Sequence, residues 1–343
     1  MPVTSTQVQL AARPVGDPKP SDFKITTVDL PEVGDGEILC RVIYQSLDPY
    51  MRGRMDDSKS YAAPVPIGGV MEAGTVAEVM ESKNARFKPG DIVNSRMGWQ
   101  THAISDGAGV RVVDPSLAPI STAVGILGMP GMTAYVGLLD IGEPKEGETV
   151  VVSAASGAVG SAVGQIAKLK GCRVVGVAGA KEKCDFVTGE LGLDACVSHY
   201  SKTLGADLAA ACPDGIDIYF ENVSGATFDA VFPILNPFAR IPVCGLISRY
   251  SHTGEFPGPD MQPKLMRSIL TNRLKLQGFI VSDRAERFKN FLTDVSAWVR
   301  SGDIKYKEDF VDGIENAPEA FMGLLKGKNF GKLVVRVSGD PSA

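Results

Sequence analysis

Between Thr149 and Gly171 the chain reads TVVVSAASGAVGSAVGQIAKLKG, and this run constrains the fold more than any other. A β-rich stretch, Thr149 to Ser153, passes through a turn of small residues into a helical pattern. The turn is Ala155-x-Gly157-x-x-Gly160, a dinucleotide fingerprint with Ala in place of the first Gly. Strand, turn and helix in that order let the backbone approach a pyrophosphate whose charge rests on the helix N-terminus. Gly160 and Gly164, four apart, leave one helix face bare to press against the sheet.

The residues that follow choose the cofactor. Arg173 to Gly179 (RVVGVAG) reads as the second strand of a βαβ unit. NAD-type sites end that strand in an acid that holds the ribose 2′-hydroxyl. Here Gly179 and Ala180 stand there, followed by Lys181 and Lys183. A carboxylate repels a 2′-phosphate and ammonium groups attract it, which points to NADP(H). Both lysines also suit the solvated start of a helix.

A length of 343 residues implies two domains, and net charge −5 with no basic block argues against nucleic-acid binding. The opening MPVTSTQVQLAARPVG lacks the apolar core of a signal peptide, so a cytoplasmic location is expected. The uncharged stretch from Pro119 to Leu139 is interrupted by glycines and Pro130 and reads as a buried loop and helix joining two domains, not a membrane span. Cysteines 40, 172, 184, 196, 212 and 244 show no close pairs and His102, His199 and His252 lie far apart, so neither disulfides nor a metal site is expected.

Before the fingerprint, Pro and Gly punctuate short alternating runs such as Ile38 to Gln45 and Gly74 to Val79, which predicts a barrel-like domain of short strands. From Thr149 strands and helices alternate. Strands are expected near 149–154, 173–179, 195–199, 216–222, 240–246 and 275–281, with helices between them and another at 284–301. That is an α/β doubly wound parallel sheet. Strand-like pieces after Tyr306 should rejoin the first domain. The expected division is 1–127 with 304–343, and 128–303 for the nucleotide domain.

The segments LDPYMRGRM (Leu47 to Met55), GMPGMTAYVGLLDIG (Gly128 to Gly142), YFENVSG (Tyr219 to Gly225), ARIPVCGLISRY (Ala239 to Tyr250) and GLLKGKNFGK (Gly323 to Lys332), with the fingerprint, resemble the zinc-independent medium-chain dehydrogenase/reductases. Within them the likeness is to the leukotriene B4 dehydrogenase/prostaglandin reductase branch, and to bacterial NADPH-dependent curcumin/alkenal double-bond reductases. The resemblance covers nearly the whole chain. It implies a GroES-like catalytic domain, a Rossmann domain and a homodimer. It also implies a pyrophosphate turn at Gly157, Ala158, Val159 and Gly160, and a 2′-phosphate site at Lys183 and Tyr200, with Gly179 a further cofactor-binding residue. Around the nicotinamide it puts Asn222, Cys244, Gly245, Leu246, Ile247, Ser248, Tyr250, Phe279, Ile280, Val281 and Asn329. Ser224 departs from the Gly common there, and two extra residues separate Lys183 from Tyr200 compared with mammalian relatives. Val70, in Gly69 to Gly74, occupies the place of the zinc-ligand His of the alcohol dehydrogenases.

Reducing an activated C=C requires a donor for the charge that develops on the carbonyl oxygen. Tyr250 is the leading candidate, with the nicotinamide ribose 2′-hydroxyl sharing the task, and an aromatic pocket wall is its other reading. Tyr50 and Arg52 are candidates to orient substrate, Arg52 equally a structural salt-bridge partner. Tyr61 and Trp99 are candidate surfaces for a small hydrophobic enone or enal. Met129 and Thr133 are candidate cofactor neighbours, although Met129 also suits packing. His252 is a candidate proton donor, and Gly254, Pro257, Gly258 and Pro259 mark either a lid-like loop or a rigid turn. Quinone reduction, allylic alcohol oxidation and non-catalytic NADPH binding remain as alternatives.

Overall fold

Short alternating runs build the first unit. Residues 2–255 and 260–342 are described by a computed structural model. They divide into two units: one runs to Gly128 and resumes at Glu308, and the other spans Met129–Lys307. The return comes at 308 rather than 304 because the preceding residues pack on the second unit. There Gln165 brackets Lys305, donating to its carbonyl at 2.8 Å and accepting from its N–H at 2.8 Å.

In the first unit β1 (Thr4–Leu10) and β2 (Phe23–Asp29) form an antiparallel pair that sequence patterning missed. β3 (Ile38–Ser46) leads through the short helix α1 (Met51–Arg54) to β4 (Thr75–Ser82), β5 (Ile92–Ser95), β6 (His102–Ser105) and β7 (Arg111–Val112). In the second unit α2 (Met129–Val136) widens into a π-helical turn, Gly137–Gly142. Then come β8 (Thr149–Ser153), α3 (Ala158–Leu169), β9 (Arg173–Ala178), α4 (Lys181–Gly189), β10 (Ala195–Ser198), α5 (Leu204–Ala211), β11 (Ile216–Phe220), α6 (Ala226–Val231), β12 (Leu235–Val243), α7 (Gln262–Asn272), β13 (Lys275–Gly278) and α8 (Phe288–Ser301). The chain closes the first unit with β14 (Glu308–Asp312), α9 (Ala317–Leu324) and β15 (Lys332–Arg336).

The second unit holds a parallel sheet in the order β10-β9-β8-β11-β12-β13. This is the doubly wound order whose direction reverses between the first and fourth strands, here β8 and β11. Val150, Val151 and Val152 are all fully buried, as a strand covered on both faces requires. The first unit's sheet runs β14-β15-β3-β4-β5-β7, with β6 also on β3. Pro257, Gly258 and Pro259, part of the expected lid or turn, lie outside the described residues.

A buried ion pair ties two sequence motifs together in the first unit. Lys332 Nζ donates to Asp48 at 2.8 Å and to the Leu47 carbonyl at 2.7 Å, and both charged side chains are buried. This fixes the start of the segment that carries Tyr50. Removing one partner of a buried pair costs about 3–5 kcal/mol. Lys332→Met should therefore lower denaturant stability by about that amount, with Asp48→Asn partly restoring it in the double variant.

Candidate active site

The fingerprint turn is shaped by Ala154, which holds a left-handed φ of 52°. Gly157 then caps α3, its N–H donating to the Ala154 carbonyl at 2.9 Å. A β-carbon on Gly160 would lie 2.3 Å from that carbonyl oxygen, so only glycine fits. Ala155 replaces the first Gly of the fingerprint because its methyl is fully buried beside Gly176 of β9, whose missing β-carbon makes the room. Gly164 does not serve the sheet as its spacing suggested. A β-carbon there would meet the Leu193 side chain at 2.8 Å, so it accommodates the loop after α4. No side chain caps Gly157, and the first-turn N–H groups of α3 carry the positive end of the helix at the sheet's carboxyl edge. Gly157, Ala158, Val159 and Gly160 are thus the backbone fit for a pyrophosphate.

At the end of β9, Gly179 lies under the rings of Tyr200 and His199. Lys181 is held by Asp185 at 2.6 Å, four residues on. Lys183 is half-buried and Tyr200 exposed.

Between β11 and α6, Glu221 organises the edge. Its buried Oε1 accepts from Val223 N–H (2.6 Å), Ser224 N–H (2.8 Å), Tyr219 Oη (3.0 Å) and Ser153 Oγ (3.2 Å). These bonds hold Ser224 at φ 70°, which explains how a non-glycine residue occupies that turn. Asn222 is anchored to β8: its N–H donates to Ser153 Oγ and its Nδ2 to the Ser153 carbonyl, both at 2.8 Å. Cys244 and Gly245 donate N–H bonds to the Glu221 carbonyl, Ile247 to that of Asn222 and Ser248 to that of Val223. Tyr250 folds back over this turn, its hydroxyl oxygen accepting the Leu246 N–H at 3.2 Å. A β-carbon on Gly245 would lie 3.0 Å from that oxygen. The structure therefore gathers Asn222, Cys244 to Ser248 and Tyr250 at one edge.

Phe279, Ile280 and Val281 follow β13 at the same edge, Phe279 meeting Phe220 edge to face at 6.3 Å. Thr133 turns its hydroxyl to the Met129 carbonyl at 2.8 Å, within their own helix. His252 Nε2 lies 3.0 Å from the Glu255 carbonyl.

The first unit corrects two expectations. Trp99 is fully buried, stacked on Phe23 at 5.8 Å and edge-on to Phe321 at 5.6 Å, so it is core rather than a substrate surface. Arg52 is also buried, donating to the Gly16 carbonyl and pairing with Asp56 at 2.6 Å; it braces the loop and does not orient substrate. Tyr61 is exposed with the Arg54 guanidinium 4.3 Å from its ring centroid, and Tyr50 lies 5.7 Å from the same group. Asn329 Nδ2 donates to the Gly331 carbonyl at 2.8 Å. Glu221 and Ser153 escaped sequence reasoning, although Glu221 sits inside the YFENVSG segment.

Residues 6–113 match a family model described as the N-terminal domain of oxidoreductase, and 158–297 one described as zinc-binding dehydrogenase. The chain is 55% identical to the NADPH-dependent curcumin reductase of Escherichia coli, over 96% of each chain. It is 45% identical to rat prostaglandin reductase 1 (94% and 95% covered). With the tobacco NADP(+)-dependent 2-alkenal reductase the identity is 41% (98% and 99%). The crystal structure of Vibrio vulnificus CurA in complex with NADPH superposes with a TM-score of 0.94 at 53% identity, over 98% and 100% of the two chains. The chain belongs to the medium-chain dehydrogenase/reductases, in the prostaglandin reductase branch. The second model's description names zinc; among the described residues no group of three or more His, Cys, Asp or Glu side chains converges as metal ligands.

Two expectations follow. Gly160→Ala should weaken NADPH and NADH binding alike, by at least about tenfold, because a tight turn that both need must open; fluorescence titration checks this. Burial raises the Glu221 carboxyl above its ordinary range. The stability it supplies is present below about pH 4.3, the unfolded value, and is lost as pH rises through the folded one. Glu221→Gln keeps the accepting oxygen without the ionisation, so its stability–pH profile from calorimetry should be flatter over that window.

Proposed function

We propose that this chain reduces the C=C bond of α,β-unsaturated ketones and aldehydes with NADPH, placing hydride on the β-carbon. The observation that carries this reading is the near full-length identity to reductases named for curcumin and 2-alkenals. The edge built by Asn222, Gly245 and Tyr250 supports it.

The residues present fit a dinucleotide: the first turn of α3 receives the pyrophosphate, and Lys183 and Tyr200 receive the 2′-phosphate. Asn222, Cys244 to Ser248, Phe279 to Val281 and Asn329 are assigned to the nicotinamide end, with Met129 and Thr133 as further neighbours. When bound, NADPH supplies the hydride. Tyr250 donates its O–H to the substrate carbonyl as negative charge grows there, and the Leu246 N–H holds the hydroxyl in place. Tyr50 and Tyr61 present the surface for a hydrophobic substrate. We infer a metal-free reaction from Val70, which stands where the zinc-ligand His would be, and from the absence of a converging ligand set among the described residues. A homodimer rests on the family resemblance. No helix among the described residues is long and apolar enough to cross a membrane.

With deuterium at the transferable C4 position of NADPH, the label should appear at the β-carbon of a saturated ketone. An allylic alcohol product, quinone-only turnover or no turnover at all would refute the reaction class. Tyr250→Phe should lower the single-turnover rate by about 1–3 kcal/mol, less than the loss of an unshared oxyanion donor. Exhaustive chelation should leave activity intact, and elemental analysis should find no stoichiometric zinc.

A further inference from the structure

Where an NAD-type site carries an acid, the end of β9 in this chain is covered by two rings. A β-carbon on Gly179 would lie 3.4 Å from the Tyr200 ring and 3.7 Å from both Cε1 and Nε2 of His199. The two rings meet edge to face, with centroids 4.2 Å apart. The backbone fixes them there: His199 N–H donates to the Ala178 carbonyl at 2.8 Å, and Ser198 Oγ donates to the Gly179 carbonyl at 2.7 Å. The imidazole is exposed at the sheet's carboxyl edge. Lys183, in the first turn of α4, is close enough for its charge to act on the ring.

We propose that His199 is a specificity-determining residue whose imidazole shares the 2′-phosphate of NADPH with Lys183 and Tyr200. The proposal rests on the assignment of that phosphate to Lys183. Without ligand, partial burial and then the Lys183 charge hold the imidazole below its ordinary range. Among the described residues, Lys183 of α4 acts on the ring through its charge and Tyr200 meets it edge to face. A phosphate carrying nearly two negative charges reverses that balance and favours the imidazolium. NADPH binding should therefore take up a proton. Its affinity should be highest below the free-state titration of His199 and should decline as pH rises through the bound-state one. NADH should show neither effect. The phosphate's own second ionisation, near pH 6, works the other way, because a cationic site strips its proton. The sign of proton exchange thus separates the two.

The test is calorimetric titration of the intact protein with NADPH and NADH at about pH 6 to pH 8.5, in buffers of different ionisation enthalpy. His199→Asn should weaken NADPH roughly three- to tenfold near pH 6 and hardly at all at pH 8.5, abolish the proton uptake and leave NADH unchanged. His199→Lys, a cation throughout, should keep NADPH preference while losing its pH dependence. NADPH affinity in His199→Asn equal to wild type at every pH, or equal weakening of both cofactors, would overturn the proposal. Lys183→Ala tells the two layers apart. If NADPH affinity is unchanged in it, the phosphate lies elsewhere and the underlying assignment fails. A selective loss of NADPH affinity there, beside a normal His199→Asn, removes His199 alone.

Discussion

The approach of α3 to the Ala154 carbonyl is the contact on which the nucleotide-binding unit depends. With 2.3 Å between that oxygen and any β-carbon at position 160, the helix can start there only on glycine. Ala154 accepts the left-handed conformation, Gly157 caps the helix, and α3 is set down directly after β8. The direction of the sheet reverses beside β8, between it and β11. The helix end and the residues that follow β11 therefore meet at one place, and Ser153 joins them physically. Its hydroxyl accepts the Asn222 N–H and donates toward Phe220 and Glu221. The fingerprint turn and the loop after β11 are thus parts of one hydrogen-bonded frame.

Each unit buries ionisable groups, and it solves the cost differently. In the first, Asp48 and Lys332 compensate one another, with Ser46 and the Leu47 carbonyl taking up further capacity. In the second, Glu221 has no cation among its described partners. Four donors converge on Oε1 while Oε2 is buried without a partner among the described contacts. An ionised carboxylate with one bare oxygen is expensive in such surroundings, and the neutral acid is favoured. Burial likewise pushes the neighbouring Cys244 thiol up to about 12.

Much of the second unit was legible because its signals are local. Valine runs, helix periodicity and small-residue turns each speak for a few neighbouring residues, and β8, α3, β9 and α4 start where those patterns start. What escaped depends on partners distant in sequence. The role of Gly164 is set by Leu193, and the tolerance for Ala155 by Gly176. Trp99 and Arg52 look like ligand-facing residues by type. Their burial is decided by Phe23, Phe321 and Gly16, which no spacing connects to them. The β1–β2 pair was missed because its strands are polar and sit apart from the regular sheet, pairing only with each other at strand length.

The two tyrosines proposed near substrate are not equivalent, and the difference follows from what surrounds each hydroxyl. Tyr50 is raised by burial first and then by the negative charges of Asp48 and Glu72, against an opposing effect of Arg96. The Tyr250 oxygen instead accepts a backbone N–H from Leu246. A hydroxyl that accepts one hydrogen bond becomes a stronger donor in the next, because the two polarise one another. The accepted bond also fixes the oxygen in place, which is the preorganisation that the proposed donor role needs. That geometry requires Gly245: a side chain there would press on the hydroxyl at 3.0 Å and turn it away from the Leu246 N–H. The hydroxyl of Tyr250 is thus placed by its own turn, as its proposed donor role requires.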